Sequence, residues 1–193
     1  MILVLASVAL LLQVVANADL GYRFTLPDGF GPFPEGRSQQ DVVDCWTEVT
    51  PASPGGALVL CVQRMRGTLA HDRLKPEDAP ASTQLRTFTW KGFDLDGIRS
   101  DTAQGGMPVV ILATQVPLRR EAIQLIVAGP RDQAQRAEAI MTSILGSLEG
   151  ETNWLTSTER AGRLGNIVGW VVGIAVGVIL IRIWRARRQS RAA

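Results

Sequence analysis

The residues of this chain that could carry out chemistry are two cysteines, one histidine and a group of aspartates. Cys45 and Cys61 stand on either side of residues 51–56, PASPGG, which have the proline and glycine residues that a hairpin loop needs. In an unbulged antiparallel hairpin around this turn the two cysteines are opposite each other, close enough for a disulfide at a non-hydrogen-bonded pair. We predict this bridge, with two buried free thiols as the alternative. Neither state is catalytic, since C-x-x-C spacing is absent.

His71 is the only histidine of the chain. A Ser-His-Asp or Cys-His enzyme could use it as a general base. However, it lies in the polar stretch Ala-His-Asp-Arg, and the sequence has no G-x-S-x-G nucleophile turn. We therefore predict a solvated loop histidine and no catalytic residues.

The aspartates near the middle of the chain resemble the beginning of a calcium-binding loop. They are Asp94, Asp96 and Asp101. An EF-hand loop that begins at the first of them needs a ligand, a glycine and a glutamate at its fifth, sixth and twelfth positions. The chain has Ile98, Arg99 and Gly105 there, so the match fails three times. We predict acidic strand residues that face water, and no metal site.

No cofactor is predicted either. The glycine-rich segment 29–36, GFGPFPEG, has no Lys-Ser/Thr pair after it and precedes no strong helical pattern. Both features are needed for a loop that binds phosphate.

The first 18 residues have the pattern of an export signal. They are almost entirely apolar and end in Ala16-Asn17-Ala18, a small-x-small sequence typical of signal-peptidase cleavage. We predict a signal peptide at residues 1–18 and a mature chain that begins at Asp19. The segment lacks the usual Lys or Arg before its apolar run, so an uncleaved amino-terminal anchor is the alternative.

A second apolar segment near the carboxyl end predicts a membrane-spanning helix at residues 164–184. Residues 164–181 carry no charge and would extend about 27 Å as a helix, against a hydrocarbon core of about 30 Å. Five arginines and no acid follow, and the last four of them lie within a predicted basic tail at residues 185–193. These arginines are Arg182, Arg185, Arg187, Arg188 and Arg191. The positive-inside rule places this end in the cytoplasm.

The two apolar segments together predict a single-pass protein of the cell membrane with its domain outside the cytoplasm. Of the 20 Lys and Arg residues, five belong to the basic carboxyl end, so the remaining 15 stand against all 18 acids and give a net charge of −3. A domain with this balance lacks the basic face of a nucleic-acid-binding protein. The predicted partners are the lipid bilayer, whose anionic headgroups the arginines could contact, and another protein.

Glycine recurs at every fourth residue of the predicted span. The positions are Gly165, Gly169, Gly173 and Gly177. Small residues at this spacing let two helices in lipid approach closely, so this glycine zipper predicts pairing with a partner helix or with a second copy. The alternative is that glycine is simply frequent in spanning helices.

Residues 19–150, between the signal and a juxtamembrane linker at residues 151–163, have the size of one domain. Strand patterns occur at residues 21–26, 41–50, 57–65, 87–90, 93–101, 109–116 and 122–128. From residue 130 to residue 148, apolar residues recur at spacings of three and four, which predicts one amphipathic helix with Gly150 as its carboxyl cap. The predicted fold class is α+β, an antiparallel sheet packed by helices.

The order of these segments resembles the PsbP-like α/β family over residues 21–154. The segments that carry the resemblance are YRFTLPDGF, the cysteine-bearing hairpin, TFTWKGFDLDG, EAIQLIVAG and the final helix running into ILGSLEGETNW. Members of that family act as accessory or partner-binding modules, so the resemblance implies an interaction module without catalytic activity. The rival hypothesis is an exported hydrolase or ligand-binding domain, for which a deep pocket that collects His71 or several of the aspartates would be evidence.

Overall fold

The computed structural model describes residues 13–38, 41–52, 56–71, 74–75, 77 and 83–155. These residues form an α+β fold of two antiparallel sheets and one α-helix. The larger sheet has seven strands, which in spatial order are β3 (Phe30–Pro32), β4 (Val42–Glu48), β5 (Val59–Met65), β9 (Ala122–Pro130), β8 (Met107–Pro117), β7 (Phe93–Gln104) and β6 (Thr83–Trp90). The smaller sheet consists of β1 (Val14–Asn17), β2 (Tyr22–Thr25) and β10 (Glu149–Gly150), with β2 in the middle.

Tight turns connect β6, β7 and β8 into a meander. Trp90 pairs with Phe93 and Gln104 pairs with Met107, so each connection has only two residues. The second turn is Gly105-Gly106, whose φ angles of 59° and 82° are those that glycine adopts readily. The sequence predicted breaks at both positions. The strands themselves are longer than predicted, since β6 begins at residue 83 and β7 continues to residue 104.

The core lies on one face of the seven-stranded sheet, which we call the inner face. The helix α1 (Ala134–Ser147) and the smaller sheet cover it. Successive strand residues point to opposite faces, so every second residue of the central strands enters this core. The fully buried members on β5, β8 and β9 are Leu60, Val62, Val110, Leu112, Val116, Ile123, Leu125 and Val127.

The helix follows the predicted pattern. All the residues of the predicted apolar stripe are buried, namely Ala134, Ala137, Ile140, Met141, Ile144, Leu145 and Leu148. A 3₁₀ turn, Arg131–Gln133, precedes the helix, which is therefore shorter at its beginning than predicted. At its end, the indole Nε1 of Trp90 donates to the carbonyl of Leu148 at 2.8 Å. This bond satisfies one of the carbonyls that every helix end leaves unpaired.

The prediction that Gly150 is the carboxyl cap of this helix is wrong. Leu148 ends the helix in an extended conformation, and the chain continues into β10, which pairs with β2. A side chain at position 150 would meet the carbonyl oxygen of Gly21 and the Cδ2 of Leu118, both at 3.0 Å. Glycine is needed here for the close approach of two strands, and its φ angle is not positive.

Two charged groups connect α1 to the large sheet. At one edge, Glu138 accepts from Arg86 of β6 at 3.3 Å and from Arg99 of β7 at 3.4 Å. Arg99 also binds Asp101 at 3.1 Å, and this hydrogen bond holds the pKa of the Arg99 guanidinium above its ordinary value. At the other edge, buried Glu48 pairs with Arg136 of the helix.

The segments predicted on either side of the domain lie mainly outside the described residues. The compact unit ends at Trp154. Within the described residues, no helix has the length and apolar character that a membrane span requires. The predicted span, its four glycines and the five arginines after residue 181 all belong to residues 156–193, which the structure does not describe.

The last residues of the predicted signal peptide are an exception, because they form β1. Val14 to Asn17 pair in antiparallel register with Thr25 to Tyr22, and Val15 is 8% exposed. The glycine-rich segment 29–36 contains β3 and the first part of a 3₁₀ helix, Pro34–Ser38.

Candidate functional site

The face of the large sheet opposite the helix is the candidate site, and we call it the outer face. Strand register aligns five side chains in one row across five strands, Cys61, Ile126, Ala113, Ile98 and Leu85, which we call the apolar row. Ala113 is 5% exposed, and the other four are half-buried. The neighbouring row on β5, β9 and β8 is polar and consists of Gln63, Gln124 and Gln115.

A shallow cleft of about 250 Å³ lies where the apolar row meets these polar residues. One wall is the segment after β5, which contributes Leu69 and Leu74, and another is Trp154 from the end of the compact unit. Asp96 lines the cleft on the sheet side and accepts a hydrogen bond from the Leu74 backbone N–H. The cleft is smaller than most small-molecule sites, which enclose roughly 300–1,000 Å³.

An aromatic cluster of three residues adjoins this cleft. The rings of His71 and Trp154 have centroids 4.2 Å apart, and Phe93 lies 5.7 Å from Trp154 and 6.0 Å from His71. The Trp154 indole donates to the Leu69 carbonyl at 2.9 Å, which fixes the carboxyl-terminal residues of the compact unit against the segment after β5. His71 is exposed, as predicted, but it is part of this cluster and is not an isolated loop residue.

The three aspartates do not form one site. Asp94 and Asp96 occupy alternate positions of β7 on the outer face, whereas Asp101 is on the inner face. There it binds Arg99 at 3.1 Å and Arg131 at 3.4 Å. Among the described residues, no group of three His, Cys, Asp or Glu side chains is arranged to hold a metal ion.

The predicted disulfide is confirmed. Cys45 and Cys61 are directly opposite each other on β4 and β5, with Cα atoms 4.2 Å apart, and they are bonded. The bridge lies on the outer face under the 3₁₀ helix Pro34–Ser38, where a side chain on Gly36 would come within 2.6 Å of the Cys45 sulfur. The bridge holds β4 to β5 at one end of the apolar row, which is a structural role.

The outer face was missed at the level of sequence, although a signal for it exists. Ile98, Ala113 and Ile126 alternate with fully buried residues in strands that read as almost continuously apolar. Such strands are expected when both faces of a sheet are covered. Among the described residues, the helix and the smaller sheet cover the inner face, and Ile98 and Ile126 stay half-buried on the outer face. Trp154 was assigned to the linker, and nothing in its local sequence indicates a contact with residues 85 positions away.

Comparison with known proteins identifies no family. No family model matches the chain, and no curated protein sequence matches it. Three solved structures share parts of the fold: LpqN involved in cell envelope biogenesis of Mycobacterium tuberculosis, cyanobacterial PsbP (CyanoP) from Synechocystis, and a protein of Bacteroides thetaiotaomicron. The PsbP family, which the sequence resembles, is thus represented among them.

These likenesses are weak. LpqN is 15% identical with a TM-score of 0.46, and the match covers 70% of this chain and 88% of LpqN. CyanoP is 11% identical with a TM-score of 0.45, covering 72% of this chain and 92% of CyanoP. The Bacteroides protein is 10% identical with a TM-score of 0.43, covering 68% of this chain and 46% of that chain. At this level they carry no information on activity, ligands or partners.

Proposed function

We propose that this chain is a membrane-anchored interaction module that acts outside the cytoplasm, through a protein partner and without catalytic activity. The observation that carries the proposal is the outer face, which is shallow and apolar along one row and polar beside it. Protein interfaces have this anatomy, an apolar centre with a polar rim. Catalytic sites are usually deeper and bring titratable groups together.

The arrangement of the titratable groups supports this proposal. Asp101 and Glu138 neutralise arginines at the helix edge, and Glu48 is paired with Arg136 beneath the helix. The Glu138 and Glu48 contacts attach the helix to the sheet, and each of these three acids has a structural partner. On the outer face, Asp96 is bonded to the backbone of Leu74, so it also serves to position the segment after β5.

The partner that fits best is another protein of the same membrane. The compact unit ends at Trp154 and the predicted span begins at residue 164, so nine residues of linker separate the domain from the bilayer in sequence. A chain of nine residues extends at most about 30 Å. Tethering at this length raises the effective concentration of the domain for partners that are held in the same membrane.

A crosslinking experiment in intact cells tests the proposal. A photo-crosslinking amino acid is placed at Ile126, the second residue of the apolar row, and a matched one at Ser143, which is exposed on the helix. We expect a discrete adduct with a membrane protein from position 126 only. The adduct should weaken strongly in a variant without residues 164–193, because tethering is lost. Equal adducts from both positions, or none from position 126, would contradict the proposal.

One observation favours the rival function, binding of a small ligand. The cleft brings the Asp96 carboxylate beside the Trp154 ring and the apolar side chain of Ile98. A small molecule that copurifies with the protein, and is lost from an Ala113→Phe variant with a filled cleft, would support that function. The size of the cleft and the hydrogen bond that already engages Asp96 favour the interaction module.

A further inference from the structure

The smaller sheet contains a strand that the predicted export pathway removes. β1 is made of Val14 to Asn17, which belong to the predicted signal peptide, and the predicted cleavage follows Ala18 in the turn between β1 and β2. Cleavage there would remove all of β1 and leave β2 intact. The edge of β2 that β1 occupies would then be open.

The backbone of β2 makes regular bonds to β1 along this edge. The Leu26 N–H, just after β2, donates to the Gln13 carbonyl at 2.8 Å, and the Gly21 N–H before it donates to the Asn17 carbonyl at 2.9 Å. The Thr25 N–H points the other way and donates to the Ser147 hydroxyl at 3.2 Å. Since the direction of the backbone N–H groups alternates along a strand, the Phe24 N–H is directed to the same edge as the Leu26 N–H. Backbone groups of this kind require a partner when they are buried.

The edge also includes an apolar place for one side chain. Val15 is opposite Phe24 and is 8% exposed within the core cluster, whereas Val14 is 61% exposed. Phe24 itself is 1% exposed and packs edge-to-face on Trp46, with ring centroids 5.7 Å apart. Loss of β1 would therefore expose part of the core together with the strand edge. Exposed edges of this kind pair readily with another extended chain.

We propose that the mature domain binds an extended segment of a partner protein along this edge of β2, in the place that β1 occupies in the precursor. The segment would run antiparallel to β2 and carry an apolar residue at the position of Val15 with solvent-facing residues on either side. This is strand addition, in which backbone hydrogen bonds supply affinity and one pocket supplies selectivity. The inference rests on the proposed function, since it needs an exported and processed domain.

The test uses the mature protein, purified with its membrane span, and a synthetic peptide with the sequence of residues 11–18, LLQVVANA. Amide hydrogen exchange is followed at Phe24 and Leu26 with and without the peptide. We expect exchange to slow at least about tenfold at saturating peptide, since a net hydrogen bond is worth about that factor. The control is the same peptide with the valine of position 15 replaced by aspartate, which should leave exchange unchanged. The backbone amide of Arg23 is the comparison, because it lies on the opposite edge of β2, next to β10. The side chain of Arg23 points to solvent.

Three results would overturn the inference. The first is an exported chain whose first residue precedes Val14. The second is strong protection of the Phe24 and Leu26 amides from exchange in the mature protein without peptide. The third is amide exchange that the valine peptide does not slow, or that the aspartate peptide slows equally. Each of these leaves the proposed function standing if the domain is outside the cytoplasm. A domain found in the cytoplasm would contradict the proposed function as well, so the two failures are distinguishable.

Discussion

At the scale of single residues, the disulfide has the clearest energetic role. It joins β4 to β5 across 16 residues of sequence. In the chain-entropy model, closing a loop of this length stabilises the folded state by about 3 kcal/mol, because the unfolded chain loses freedom. The bridge therefore contributes a large part of the stability that a domain of this size normally has.

We expect the double variant Cys45→Ala/Cys61→Ala to lose about 3 kcal/mol in the free energy of unfolding, measured by urea titration. Reduction of the native protein is the control and should produce a loss of similar size. Thiol counting on exported protein should find no free thiol. Two free thiols in folded, exported protein would contradict the bridge.

Tyr22 is the only tyrosine of the chain, and its phenol makes the stability of the domain depend on pH in the alkaline range. Burial, together with the nearby Asp44 carboxylate, raises the pKa of its phenol above the ordinary value of 10.0. The unfolded state therefore ionises first, so the contribution of Tyr22 to stability is complete below pH 10 and is lost as pH rises further. We expect the free energy of unfolding to fall by up to about 1.4 kcal/mol per pH unit above pH 10 from this residue.

The Tyr22→Phe variant is the control for this pH effect, and the difference between the two unfolding curves isolates the phenol from the titrating lysines. Tyrosinate absorbance provides a second readout, since it should appear only as the protein unfolds. Ionisation of Tyr22 in the folded protein near pH 10 would contradict the burial that the structure shows.

At the scale of elements, two glycines have opposite roles, although both lie inside regular structure. A side chain at Gly97 of β7 would meet the Phe88 ring at 2.5 Å and the Ala113 carbonyl oxygen at 3.2 Å. Gly146 lies in the last turn of α1, and a side chain there would have no atom within 4 Å. The first glycine is required by packing, and the second only weakens its helix.

We expect Gly97→Ala to destabilise the protein by about 1–3 kcal/mol, because the Phe88 ring has to move in a packed core. Gly146→Ala should stabilise it by about 0.5–1 kcal/mol, because alanine favours the helix. Thermal unfolding of the two variants beside the native protein measures both. Equal effects of the same sign would contradict the packing of β6 on β7.

The glycines of the predicted span support a separate prediction at this scale. Replacing Gly169 and Gly173 by isoleucine keeps the segment apolar but prevents close approach of two helices, so association in a membrane two-helix assay should drop. Val172→Ile and Val176→Ile together are the matched control. Unchanged association in the glycine variant would show that the spacing reflects composition only.

The elements also show how far sequence patterns reach. The helix and the cysteine hairpin could be predicted because their signals are local, namely a spacing of three and four and a turn between paired strands. β1 could not, because Val14 to Asn17 have a composition equally suited to a signal peptide. β10 is only two residues long, so it has no periodicity to detect. Its pairing with β2 depends on residues more than 120 positions away.

At the scale of the whole molecule, the fold class was accessible from the sequence, whereas the candidate site was not. The outer face exists because the strands between residues 59 and 130 are ordered β5, β9, β8, β7, β6 in space, which no local signal encodes. The cleft is assembled from Leu69, Asp96 and Trp154, three residues far apart in the chain. The predicted location and membrane topology have a different basis, since they depend on two apolar segments and on the arginines after residue 181.

The central claim is this membrane topology, and protease accessibility in sealed spheroplasts tests it most directly. The predicted linker contains Arg160 and Arg163, and the predicted tail contains Arg185 and Arg187, so in the predicted topology trypsin would have sites on both sides of the membrane. With an epitope fused after residue 193, external trypsin should release the domain and leave a membrane-protected fragment that keeps the epitope. Loss of the epitope while the membrane is intact, or a domain that trypsin releases only after permeabilisation, would contradict the account.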